Sequence, residues 1–90
     1  MSLTGIASTA GTTTSSIEKL INDGTGSAGL ASSIGTTSSS ITNFVNGQAS
    51  AGIASALGTT TSSAQELRDL IGRDGAIGLI IGLACGRGGK

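Results

Sequence analysis

This chain has no His, Trp, Tyr or Pro, one Cys, and a single aromatic residue, Phe44. Without His and with one Cys, neither a His/Cys metal site nor a Ser-His-Asp triad can be assembled within one chain. Charge is scarce as well: charged residues make up 11% of the 90, under half the usual share. Five basic and five acidic side chains cancel, whereas a nucleic-acid binder needs a basic face and stacking aromatics. A disordered charged tail is excluded by the same scarcity and by a mean hydropathy of +0.27. Long apolar runs are missing too. The stretch from Ala76 to Cys85 covers 10 residues, and crossing a bilayer takes about 20. Ser2-Leu3-Thr4 lacks a basic start, so no signal peptide is expected. Lone Cys85 cannot close an internal disulfide and reads as a small buried hydrophobe, with a reactive thiol or intermolecular bridge as the alternative.

What the chain does contain is a repeat. GIASTAGTTTSSIEKLINDGTGSA (5–28), GLASSIGTTSSSITNFVNGQASA (29–51) and GIASALGTTTSSAQELRDLIG (52–72) align with offsets of 24 and 23 residues, read from Gly5, Gly29 and Gly52 and again from Gly11, Gly35 and Gly58. A period of this size marks a supersecondary unit that cannot bury its own face alone. Within each unit the apolar positions keep a helical rhythm: Ile6, Ala10, Thr13, Ile17 and Leu20; Leu30, Ile34, Thr37, Ile41 and Phe44; Ile53, Leu57, Thr60, Ala64, Leu67 and Ile71. That is a narrow, heptad-like stripe suited to helix-on-helix packing.

Local signals agree. Ser15-x-x-Glu18 and Ser63-x-x-Glu66 have capping-box spacing, and Asn22-Asp23-Gly24, Asn46-Gly47 and Gly72 read as stops. Gly11, Gly35 and Gly58 weaken the first half of each unit, at about 1 kcal/mol each in a helix. Two forms stay open: one helix with a soft middle, or a short helix, a bend at Gly-Thr and a capped second helix. Flexible linkers follow at 24–28 and 47–51.

After Asp74 the texture changes. GAIGLIIGLACG (75–86) holds Gly78, Gly82 and Gly86 in two consecutive G-x-x-x-G steps, a helix face that lets another backbone approach. It reads either as a close-packing or membrane-touching helix or as a buried helix closing the fold; Arg87, Gly88, Gly89 and Lys90 form a short basic tail. The chain thus divides into repeats over 1–74 and an apolar, glycine-rich segment over 75–90.

Chemical motifs fare poorly. Gly24-Thr25-Gly26-Ser27-Ala28-Gly29 fits G-x-G-x-x-G, but no strand precedes it, and Thr42 to Gln48, where the ribose-binding acid would fall, are neutral. Glu18, Asp23, Glu66, Asp69 and Asp74 have basic residues close in sequence, and Asp69 with Arg73 reads as a solvated i, i+4 pair. No enzyme, catalytic residue, cofactor or metal is expected. The Thr/Ser blocks 12–16, 36–40 and 59–63 admit three readings: an ice-binding surface, an uncharged wall facing other subunits or a channel, or helix caps with soluble filler. From Gly24 to Gln65, 42 residues carry no charge, which suits a free soluble monomer badly. The stripe side chains offset little of the ordering cost, so order is expected to come from assembly.

The Gly/Ala/Ser/Thr-rich composition, the G-[IL]-A-S-x-x-G-T-T-x-S-S units and the G-x-x-x-G-x-x-x-G end resemble small internal or tail-associated bacteriophage virion proteins, of ejection, pilot or tape-measure type. That resemblance covers most of the chain. It implies a multi-copy structural role that assists genome delivery across a membrane.

The expectation is therefore an all-α chain of three weakly amphipathic helical units and a glycine-zipper helix, a structural subunit of a virion or other extracellular or cytoplasmic assembly. It would pack with its own copies or other subunits through Ile6, Ile17, Leu20, Leu30, Ile34, Ile41, Phe44, Ile53, Leu57, Leu67 and Ile71, with Gly78, Gly82 and Gly86 at close contacts and 75–86 touching membrane. No specific nucleic-acid partner is expected. Two alternatives stand beside it: a pore-forming or bacteriocin-like peptide, and an ice-binding protein.

Overall fold

A computed structural model describes residues 3–87; the expected tail of Gly88, Gly89 and Lys90 lies outside the described residues. The fold is all-helical: α1 (Leu3–Ala10), α2 (Thr14–Asp23), α3 (Ala28–Ile34), α4 (Ser38–Val45), α5 (Ala51–Leu57) and α6 (Thr61–Arg87). Each repeat is a short helix, a bend and a second helix, so the sequence's open choice falls on the bent form. Gly11, Gly35 and Gly58 all take positive φ, of 78°, 93° and 81°, a conformation that glycine enters without steric cost.

The Thr at the middle of each expected stripe is therefore not a packing residue. Thr13, Thr37 and Thr60 are exposed, and their hydroxyls accept the backbone N–H of Ser16, Ser40 and Ser63 at 3.2, 3.1 and 3.2 Å. They cap the second helices, two and three residues ahead of the boxes expected at Ser15 and Ser63. A hydroxyl at the turn itself reaches the unpaired amide of N3, whereas Ser15 and Ser63 already lie inside the helix. Ser27 and Ser50, in the expected linkers, cap α3 and α5 in the same way. Short helices of seven or eight residues are marginal alone, so these caps and tertiary contact hold them.

Bending doubles the number of faces that each unit can bury. Ile17, Leu20, Leu30, Ile34, Ile41, Phe44, Ile53 and Ile80 are fully buried in one cluster that also takes in Ala7, Ala31, Ala54 and Ala84. The Cα radius of gyration is 11.6 Å, against about 12 Å for a single-chain domain of this length. One chain's own side chains fill this core. Buried alanines, among them Ala10, Ala64 and Ala76, complete that core between the short helices.

Helix α6 packs against all five others. Gly72 interrupts it with φ 74° and ψ −177°, leaving arms 61–71 and 73–87. The second arm carries the burial pattern of a unit's first helix: Ala76, Ile77 and Ile80 are buried as Leu30, Ala31 and Ile34 are, and Gly75 continues the register of Gly29 and Gly52. The C-terminal segment is thus part of the same core as the repeats.

Candidate functional site

The repeat is a repeat of contacts as well as of sequence. The Gly26 amide donates to Thr42 Oγ1 at 2.9 Å, and 23 residues on, the Ala49 amide donates to Gln65 Oε1 at 2.9 Å. Gln65 Nε2 also donates to the Gly47 carbonyl at 2.9 Å and to Asp69 Oδ1 at 3.1 Å. Arg68 donates from Nε to the Phe44 carbonyl at 2.6 Å and from Nη2 to the Val45 carbonyl at 2.7 Å, closing the C-terminal end of α4, where a cation also meets the negative pole of the helix. These joints lock one unit onto the next.

They also dispose of the phosphate-loop reading. The Gly26 amide is taken by Thr42, the Leu30 amide is taken by Ser27 Oγ, and a Cβ at Gly26 would lie 2.5 Å from Ile41 Cβ. The backbone that would cradle a phosphate is bonded within the chain and filled by a side chain. Asp69 accepts from Gln65, and the kink at Gly72 separates it from Arg73, so the expected i, i+4 pair is not made in a continuous helix; Arg73 instead reaches back beside Gly24. Among the described residues no group of three potential metal ligands comes together.

Of the residues expected at an interface, Ile17, Leu20, Leu30, Ile34, Ile41, Phe44 and Ile53 are buried in the chain's own core, and Ile6, Leu57, Leu67 and Ile71 are half-buried. The packing that the stripe carries is thus between helices of one chain. Gly78, Gly82 and Gly86 behave differently. All three are exposed, and a Cβ at any of them would meet nothing within 4 Å. At i, i+4 and i+8 they line one face of the 73–87 arm. Half-buried Leu79 and Leu83 border that face on one side, and Ile81 and Cys85 on the other. The opposite face, Ala76, Ile77, Ile80 and Ala84, is core. The result is a flat strip of bare backbone between apolar edges, on the helix that packs against all five others.

The hydroxyl blocks serve first as caps: the Thr13, Thr37 and Thr60 hydroxyls also pair with Ser16, Ser40 and Ser63 Oγ at 3.0, 2.9 and 3.1 Å. The second threonine-side contact was invisible in the sequence. A Cβ at Gly29 would lie 2.5 Å from Thr12 Oγ1, and the equivalent Gly52 meets Thr36 Oγ1 in the same way. No family model, curated protein or solved structure matches the chain. No helix among the described residues is long and apolar enough to cross a membrane.

Proposed function

We propose that the chain is a structural subunit that works in many copies, joined through the exposed strip of the 73–87 arm. The observation that carries this reading is the outward placement of Gly78, Gly82 and Gly86 between half-buried Leu79, Leu83, Ile81 and Cys85. Glycines in this spacing let a second helix approach backbone to backbone, with van der Waals contact along the whole strip. Glycine inside a helix costs stability relative to alanine, and the space open to a side chain at all three positions favours an external role for the face. The uncharged span from Gly24 to Gln65 removes the like-charge repulsion that keeps surfaces apart. The textural resemblance to small bacteriophage virion proteins makes a virion the assembly we have in mind.

Sedimentation at micromolar concentration tests the reading. The wild-type chain is expected to sediment well above its monomer mass of 8.6 kDa, and Gly82→Leu, which fills the strip without touching the core, is expected to bring it down to dimer or monomer. A wild-type chain that stays monomeric at every concentration overturns the proposal. Leakage of liposomes by the purified chain, lost in Gly82→Leu, would move the function to the membrane-active alternative.

A further inference from the structure

The kink in α6 holds the core's own plug on a single-residue hinge. Gly72, at φ 74° and ψ −177°, is the one non-helical residue between arms 61–71 and 73–87, and this region of backbone space is open essentially to glycine alone. A second glycine is needed beside it. The bend drives Ile71 onto Gly75, where a Cβ would lie 2.6 Å from Ile71 Cβ, whereas i, i+4 residues of an unbroken helix keep their Cβ atoms ~5–6 Å apart. A side chain at position 75 is thus excluded from the bent form and accepted by the straight one. A turn of one residue into the helical region would make α6 continuous over its 27 residues, about 40 Å long at 1.5 Å per residue. The longest dimension of the described residues is 33 Å. A straight α6 must therefore carry the 73–87 arm out of its own core.

What leaves one core fits another. Ala76, Ile77, Ile80 and Ala84 are shaped to the slot that the other helices build, and a second copy offers the identical slot, so exchange loses no core contact. Leu70 marks the place where two hinges would meet. It lies two residues before Gly72, is 85% exposed in the closed chain, and would approach its counterpart about the two-fold axis of an exchanged pair. Straightening also restores Asp69 and Arg73 to i, i+4 spacing. The geometry points to a second copy of this chain as the partner of the 73–87 arm, through reciprocal exchange of that arm about Gly72. This inference rests on the self-association reading above and names one contact by which copies join; the glycine strip stays on the outer face of the exchanged arm.

The test uses the full chain. Gly72→Ala and Gly75→Ala strain only the bent form, and an exchanged pair relieves that strain at two hinges, so each should tighten dimerisation roughly thirtyfold to ten-thousandfold while keeping helical circular dichroism. Leu70→Gln, at an exposed site, should leave the closed monomer intact and weaken the dimer. In a 1:1 mixture of methyl-labelled and unlabelled wild-type chains, unfolded together at high concentration and refolded, isotope-filtered NMR should find contacts between Ile80 methyls of one copy and core methyls of the other. This mixture decides the matter even if the alanine variants fail to fold. Dimers whose Ile80 contacts all stay within one chain overturn the exchange and leave the strip reading standing. Dimers weakened by Gly82→Leu and unaffected by Gly72→Ala do the same. A chain monomeric in every form and concentration overturns both.

Discussion

Gly29 sits so close to Thr12 that a Cβ on it would fall 2.5 Å from the threonine Oγ1, and the first helix of the second unit is thereby pressed onto the bend of the first. Gly52 repeats the contact against Thr36, while Gly5, the same position in the first unit, has nothing within 4 Å. One repeat position therefore yields opposite outcomes. Gly29→Ala and Gly52→Ala should destabilise by about 1–3 kcal/mol through overpacking, despite the better helix propensity of alanine. Gly5→Ala should stabilise by roughly 0.5–1 kcal/mol. Urea midpoints of the three variants check both signs.

The capping hydroxyls separate one threonine from its neighbours. Thr60→Ala should cost about 1 kcal/mol by freeing the Ser63 amide, as should Thr13→Ala and Thr37→Ala. Ser62→Ala, at an exposed position in the same block, should move the thermal midpoint little.

Gln65 and Arg68 hold backbone groups of the preceding unit. Gln65→Ala leaves the Ala49 amide and the Gly47 carbonyl without their partner, and Arg68→Ala frees the Phe44 and Val45 carbonyls. Each should cost about 1–3 kcal/mol. Hydrogen exchange at Ala49 should quicken in Gln65→Ala more than in Arg68→Ala.

Phe44 is the largest fully buried side chain. Phe44→Ala should cost about 3–5 kcal/mol, a large share of the ~5–15 kcal/mol that a domain commands. Loss of a cooperative thermal transition at 37 °C would follow. A variant as stable as wild type would show the core to be packed otherwise.

Cys85 reports on the strip. It is half-buried at the strip's edge, so copies joined along Gly78, Gly82 and Gly86 bring two thiols near one another. Mild oxidation of wild-type chain should give a disulfide-linked dimer on a non-reducing gel, and Gly82→Leu should suppress it. Equal cross-linking of the two forms would contradict the strip as a contact.

The helical class, the 23- and 24-residue offsets and the stops at Gly24 and Asn46-Gly47 are legible in the residues because they rest on contacts three or four positions apart. Thr13 could have been read as a cap by the same logic; the apolar rhythm across it masked the signal, since a seven-residue spacing is kept whether the chain runs straight or folds at Gly11. The third unit shows a subtler limit. Gly26 opposes Ile41, while the equivalent positions carry Ala49 and Ala64, both buried. Bulk moves from helix to linker, and only the packed structure shows that the two substitutions compensate.

By itself the sequence determined where helices start and end, since a hydroxyl three residues from an amide and a glycine free to take positive φ act locally. It left undecided which faces turn inward. Burial of the stripe residues within one chain, the entry of Ala76, Ile77, Ile80 and Ala84 into the same core, and the outward turn of Gly78, Gly82 and Gly86 depend on contacts between residues far apart along the chain, such as Arg68 with Phe44. Those contacts form only when all units fold onto one another, and so the tertiary structure alone assigns them.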